Sequence, residues 1–264
     1  MNAALVTGAS SGIGREFARM LAEKGYDVVL VARRAQRLAE LAAELEGRHR
    51  VRCLVVPMDL AQADAPDRIH AAVMQAGWEL DVLVNNAGVT PDARFLDRPW
   101  EWQAGVVSVM ATGPLHLVHV FLPGMLARRH GYVINVSSAG AWYPSTPTQT
   151  LYGATKAFLL RATQTLADEY PDSGVSFTTV CPGVTRTEIL DLPMSAKAVK
   201  GLPPMLIDSP RKVADRGWTV ATKGGGTVVV GATGRLLFVL MRIFGERLGG
   251  RITAKRLLDA AGEA

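Results

Sequence analysis

Seven short segments that are almost wholly apolar, separated by stretches of helical period, restrict this chain more than any other feature. Residues 4–6, 27–31, 51–56, 82–84, 132–136, 175–180 and 227–230 are rich in Val, Ile and Leu and lack polar alternation. A strand with no polar face has to be covered on both sides, which is the condition of a parallel sheet between two helical layers. The intervening stretches read as helices over residues 12–24, 35–47, 64–77, 97–128, 151–170 and 209–223. Right-handed crossovers then predict a single-domain α/β fold, a doubly wound, Rossmann-type parallel sheet of seven strands. Pro99 and Pro114 mark a start and a kink in the long fourth helix.

The length of 264 residues suits one such domain. We expect it over residues 1–232, with a helical extension over 233–264. With 48% of residues apolar, 20% charged and no low-complexity tract or repeat, disorder is not expected. A net charge of +5 and a pI near 9.4 suit anionic ligands. The arginines are scattered until the last thirty residues, so nucleic acid is not an expected partner. Cys53 and Cys181 each close a predicted strand without metal-ligand spacing, and reduced, buried thiols are expected. The first strand begins at about Ala3 and no apolar run approaches ~18 residues, so a cytoplasmic protein is expected.

The first turn carries Thr7-Gly8-Ala9-Ser10-Ser11-Gly12-Ile13-Gly14. Gly8 permits the tight bend, Gly12 lets backbone approach a pyrophosphate, and Gly14 allows close helix packing, while the helix N-terminus offers free amides to anionic oxygens. Ser10, Ser11 and Ile13 share that turn, whose glycine spacing is one residue longer than the dehydrogenase fingerprint. After the second strand, where an NAD enzyme places a carboxylate for the ribose, stand Ala32-Arg33-Arg34. Arg33 can pair bidentately with a 2′-phosphate, helped by Arg34 and Ser10, which favours NADP(H). The alternative is that both arginines simply begin a solvated basic helix with Arg37. Asp59 and Leu60 follow the third strand, where a carboxylate can accept from an adenine amino group. Asn86, Ala87 and Gly88 follow the fourth, where small residues let backbone lie beside a ribose.

Tyr152 and Lys156 lie four residues apart on one predicted helix face. A phenol, with a pKa near ~10, is a poor proton carrier alone, and an adjacent ammonium favours the phenolate. A dinucleotide cradle and a proton donor on one chain imply hydride chemistry.

These motifs, with Asn85-Asn86-Ala87-Gly88, Ser138 and Cys181-Pro182-Gly183 in order, make the chain resemble the short-chain dehydrogenase/reductase family over nearly its whole length. The resemblance implies that Tyr152 is the acid or base on the substrate oxygen, that Ser138 hydrogen-bonds that oxygen, and that Lys156 lowers the Tyr152 pKa and holds the nicotinamide ribose. It also implies that Pro182, Gly183, Val184, Thr185 and Thr187 hold the carboxamide. Ser137 is a rival to Ser138. One departure stands out: the family's fourth catalytic residue, an Asn that opens the long helix and anchors a proton-relaying water, falls on Met110. A thioether cannot donate and accepts only weakly. Either Ser108 or Thr112 substitutes, or the relay is water alone, or the enzyme is slow.

Substrate selection in the family sits after Pro182-Gly183, here residues 188–209 with Met194, Leu202, Pro203, Pro204, Met205 and Leu206. With Trp142 and Tyr143 this predicts a hydrophobic or aromatic carbonyl or alcohol. The tail, Gly234 through Phe244 and then a basic stretch, is expected to pack on the core or a subunit, with an anionic membrane surface as the alternative. The expectation is an NADP(H)-dependent carbonyl reductase or alcohol dehydrogenase, a homo-oligomer without a metal. The alternative is a nucleotide-binding sensor or scaffold weakened at Met110.

Overall fold

The computed structural model describes residues 2–90, 94–142, 148–191, 200–236 and 238–239. Seven strands, β1 (Asn2–Thr7), β2 (Asp27–Ala32), β3 (Cys53–Pro57), β4 (Glu79–Asn85), β5 (Gly131–Val136), β6 (Val175–Pro182) and β7 (Gly226–Val230), form one sheet in the order β3-β2-β1-β4-β5-β6-β7. Every pairing is parallel. The helices are α1 (Gly12–Glu23), α2 (Ala35–Arg48), α3 (Ala65–Gln75), α4 (Trp100–Val107), α5 (Gly113–Arg128), α6 (Thr150–Glu169) and α7 (Pro210–Ala221). The doubly wound expectation holds; Val51, read as strand, precedes β3.

The absence of polar alternation has the expected cause. Ala4, Val6, Val28, Leu30, Val82 and Val84 pack with α1, α2 and α7, while Leu5, Val29, Leu83 and Val133 pack with α3 and α5. Successive side chains point to opposite faces, and both faces are covered. Contact on the first face is close at Gly217 of α7, where a Cβ would stand 2.8 Å from Val180 and 3.0 Å from Phe17.

The expected fourth helix is two helices joined by a π-helical turn, Ser108–Thr112. Pro99 precedes α4, as read. Pro114 does more than kink: it has no N–H to return to the Met110 carbonyl four residues back, and the Gly113 amide reaches instead to the Ser108 carbonyl. The continuous stretch Trp100–Arg128 is long and apolar enough to cross a membrane, but half of it is buried, as in a core helix. No apolar run of about that length was expected.

Past β6, Thr185 bridges to Asp208, with the Asp208 amide on the Val184 carbonyl at 2.9 Å and the Arg186 amide on the Asp208 carbonyl at 2.9 Å. The segment thought to select substrate therefore leaves and returns at one point, just before α7. Helix resumes at 232, and the Phe238 ring meets Trp142 edge-on at 4.9 Å. That contact places the first turns of the extension on the body of the protein, and residues 240–264 lie outside those described.

Candidate active site

Strand order reverses between β1 and β4, the place where doubly wound sheets open a crevice at their carboxyl ends. A cavity of about 790 Å³ lies there. Its walls include Gly8, Ser10, Ser11, Gly12 and Ile13 after β1, Arg33 and Arg34 after β2, Asp59 and Leu60 after β3, and Asn86, Ala87 and Gly88 after β4. Ser138, Tyr152 and Lys156 line its other end, with Pro182, Gly183, Val184, Thr185 and Thr187 between. Of the residues read as catalytic or cofactor-binding, Gly14 alone stays out of the wall. Its role is packing, since a Cβ on it would lie 2.4 Å from the Gly8 carbonyl oxygen.

The glycine turn is held from behind. The Thr7 hydroxyl accepts from the amides of Asn86 at 2.9 Å and Ala87 at 3.0 Å, and Asn86 Nδ2 donates to the Thr7 carbonyl at 3.0 Å. This tie between the ends of β1 and β4 is one the sequence reading did not assign. Gly8 has φ +68°, and a Cβ there would meet Asn86 Nδ2 at 2.8 Å. Ser11 begins α1 in extended backbone without a side-chain cap, so the first amides of the helix remain available for anionic oxygens. Such a bend, with room only for hydrogen at its glycines, fits a dinucleotide pyrophosphate.

Arg34, rather than Arg33, is the organised cation. Its Nε and Nη2 donate to Ser10 Oγ at 3.2 and 3.0 Å, Nη2 also to Ser11 Oγ at 2.8 Å, and Nη1 to Glu188 at 2.8 Å. Among the described residues the Arg33 side chain has no hydrogen bond or ion pair, though it lines the cavity. Asp59 uses one oxygen to accept from the Ala61 amide at 3.0 Å.

At the catalytic end, β5 delivers two adjacent serines with different fates. The buried Ser137 hydroxyl, which also lines the cavity, spends its proton on the Lys156 carbonyl at 2.7 Å and so ties β5 to α6. Ser138 Oγ accepts from the Gly140 amide at 3.0 Å, and its interaction with the Tyr152 phenol favours the ionised form. Lys156 is buried, donates to the Val136 carbonyl at 2.8 Å, and sits 5.9 Å from the centre of the Tyr152 ring.

The electrostatics correct one expectation. Burial raises the Tyr152 phenol above its ordinary value, with the Ser138 hydrogen bond opposing it, and the expected depression by Lys156 is not found. Burial also pushes Lys156 itself down, to about 8. Desolvation penalises both charged forms, and the ammonium is spent on a backbone carbonyl instead of being set beside the phenol oxygen. Burial likewise pushes the thiols of Cys181 and Cys53 up to about 12, so both remain thiols at neutral pH.

Neither proposed side-chain substitute for the family Asn is in place. Ser108 Oγ donates to the Ala104 carbonyl at 3.2 Å, within its own helix, and Thr112 is exposed. Met110 is fully buried in the π-helical turn.

The apolar part of the same cavity wall includes residues that were not singled out: Trp102, Val106, Val109, Ile189 and Leu190. The first three recur at helical spacing, which was the available signal. Trp142, read as substrate wall, packs on Phe238 instead. Tyr143 and Met194 lie outside the described residues.

A family model described as short chain dehydrogenase matches residues 2–196. Over 175 residues the chain is 35% identical to a very-long-chain 3-oxoacyl-CoA reductase of Aspergillus clavatus, covering 66% of this chain and 50% of that protein, so the match takes in about half of the relative's length. A solved structure of a 7β-hydroxysteroid dehydrogenase superposes with a TM-score of 0.84 at 27% identity, covering 96% of each chain. A short-chain dehydrogenase from Sphingobium yanoikuyae in complex with NADPH gives 0.77 at 28% identity over 87% of each. A 3-oxoacyl-[acyl-carrier protein] reductase with bound NAD from Brucella melitensis gives 0.76 at 29% identity, over 88% of this chain and 90% of that one.

Proposed function

The chain belongs to the short-chain dehydrogenase family, and from that premise we propose that it is an NADP(H)-dependent oxidoreductase interconverting a carbonyl and a secondary alcohol on a hydrophobic substrate. The observation that carries this reading is the meeting of Ser138, Tyr152 and Lys156 at one end of a cavity whose other end is a glycine turn and an uncapped helix N-terminus. Phosphate oxygens would lie on the amides after Gly12, a 2′-phosphate beside Arg33 and Arg34, and the nicotinamide carboxamide against Pro182 to Thr187. When bound, the nicotinamide supplies or receives the hydride.

The protein supplies the proton. In reduction the Tyr152 hydroxyl delivers a proton to the substrate oxygen as negative charge develops there, and Ser138 steadies that oxygen. Because burial keeps the phenol protonated at neutral pH, Tyr152 is ready as an acid; in oxidation it must first be the phenolate, a form that its raised pKa keeps scarce until the medium is alkaline. Lys156, also in the wall, would hold the nicotinamide ribose. Trp102, Val106, Val109, Ile189 and Leu190 make the substrate end apolar, in keeping with a ketone, steroid-like or acyl substrate. The same reading takes the enzyme to be cytoplasmic and a homo-oligomer.

A second reading, a nucleotide-binding sensor or scaffold, draws on Met110 alone. NADPH and NADH binding followed by fluorescence, beside turnover on ketones, hydroxysteroids and 3-oxoacyl thioesters, separates the two. Tight binding with turnover on one of these classes supports the enzyme. Binding without any turnover supports the sensor, and no binding of either dinucleotide overturns both.

A further inference from the structure

Glu188 lies 154 residues from Arg34 in the chain, yet its carboxylate closes over the same cluster of cations that the NADP(H) reading assigns to the 2′-phosphate. One oxygen accepts from Arg34 Nη1 at 2.8 Å and the other from Arg37 Nη1. Arg34 cannot turn away, because its other edge is fixed on the hydroxyls of Ser10 and Ser11. The free corner of its guanidinium therefore points at an anion, and in this structure the anion is part of the protein.

We propose that Glu188 stands where a 2′-phosphate must bind and competes with it for Arg34 and Arg37, so that Glu188 sets the selectivity between phosphorylated and unphosphorylated dinucleotides. A phosphate monoester and a carboxylate draw on the same guanidinium N–H donors, here Nη1 of Arg34 and Nη1 of Arg37, and two anions placed there repel each other. The arginines hold the Glu188 carboxyl below the ordinary carboxylate range, Arg34 foremost, so it stays charged throughout the neutral range. Its contacts are nevertheless displaceable. Both ion pairs join side chains that are 42–50% exposed, and pairs so well solvated are weak. Arg33, which has no partner among the described residues, stands beside them to receive a phosphate once Glu188 gives way.

The inference rests on the assignment of this corner to the 2′-phosphate, but the experiment keeps the two apart. Dissociation constants for NADPH, NADH, 2′,5′-ADP and 5′-AMP are measured on the full chain, wild type, Glu188→Gln and Glu188→Ala, with thermal melts confirming that each variant folds. The wild-type ratio of NADPH to NADH affinity tests the cofactor reading: a preference for NADH overturns that reading and leaves the competition intact, since a bound Glu188 is then what enforces it. The change in the ratio tests the competition. Both variants are expected to improve NADPH and 2′,5′-ADP binding about five- to tenfold relative to NADH and 5′-AMP, the scale of removing two weak competing ion pairs. An unchanged ratio overturns the proposal whatever the wild type prefers. So does an equal loss of affinity for all four ligands, which would make Glu188 a positioning residue for the turn.

Discussion

The two ends of the cavity use the same kinds of charged group under opposite conditions. At the nucleotide end the side chains of Arg34, Arg37 and Glu188 are 42–50% exposed and find one another across water. At the catalytic end Lys156 is 5% exposed and Met110 wholly buried. Exposed pairs contribute little each, so the exposed end gains its shape from backbone and glycine, and on the function proposed here its charges serve to choose between ligands. Buried groups feel desolvation first, and there the same chemistry appears as displaced proton affinity. Selectivity and catalysis are thus separable by mutation, which the following variants exploit.

The largest effect is expected at the proton donor. Tyr152→Phe removes the proton donor but no cofactor contact of consequence, so turnover should fall about 10²–10⁴-fold or more with NADPH affinity largely kept. A fall in affinity of similar size would erase the division between the two ends. Gly14→Ala is the counterpart at the nucleotide end. Its new methyl must push on the Gly8 carbonyl at 2.4 Å and Asn86 Nδ2 at 2.5 Å, so the fold should lose about 1–3 kcal/mol and dinucleotide binding should weaken with it. Thermal unfolding beside a titration checks both.

A smaller effect follows from Lys156. Its pKa is lowered to about 8 in the folded chain from 10.5, so the ammonium is present below pH 8 and lost above it. Reductive kcat/KM should therefore decline as pH rises through about 8, and Lys156→Met should remove that step along with most of the rate. Stability runs the other way. The unfolded chain binds the extra proton between about 8 and 10.5, so the burial cost is fully present below 8 and relieved as pH rises across that window. Opposite slopes for rate and unfolding free energy would be the signature of a buried lysine; parallel slopes would assign the titration elsewhere. At the exposed end, Arg33→Ala and Arg34→Ala should each erode the preference for NADPH over NADH by about tenfold without changing kcat.

What could be read in advance divides along the same line. The strands, the glycine bend and the Tyr152–Lys156 pair are local patterns, unbroken apolar runs, a glycine spacing and a four-residue step, and each was legible because the residues that make it are neighbours in the chain. The Arg34–Glu188 pair was not, since the two meet only when the segment after β6 folds back over the first turn. Nor was the choice between Ser137 and Ser138, which depends on which hydroxyl meets the Lys156 carbonyl at 2.7 Å once β5 and α6 are packed. The direction of the Tyr152 shift was misread for a related reason: spacing shows that an ammonium is near, whereas burial decides how much that nearness counts. Trp142 was misplaced because its partner, Phe238, is nearly a hundred residues away.

Met110 is where the comparison predicts the smallest change in rate. The family Asn opens the long helix; here Pro114 already does so, by withholding an amide from the Met110 carbonyl, and the π-helical turn persists without any side-chain amide. Met110→Asn should then leave turnover within about threefold, since the residue belongs to the packing around the site and is not itself part of the cavity wall. Its cost should appear in stability, on the order of 1–3 kcal/mol, because an amide replaces a thioether that is fully enclosed. Denaturant melts set beside steady-state rates distinguish the outcomes. A rise in turnover well beyond threefold would mean that the missing amide limits proton supply to Lys156, and that the catalytic end depends on a relay that Pro114 alone does not restore.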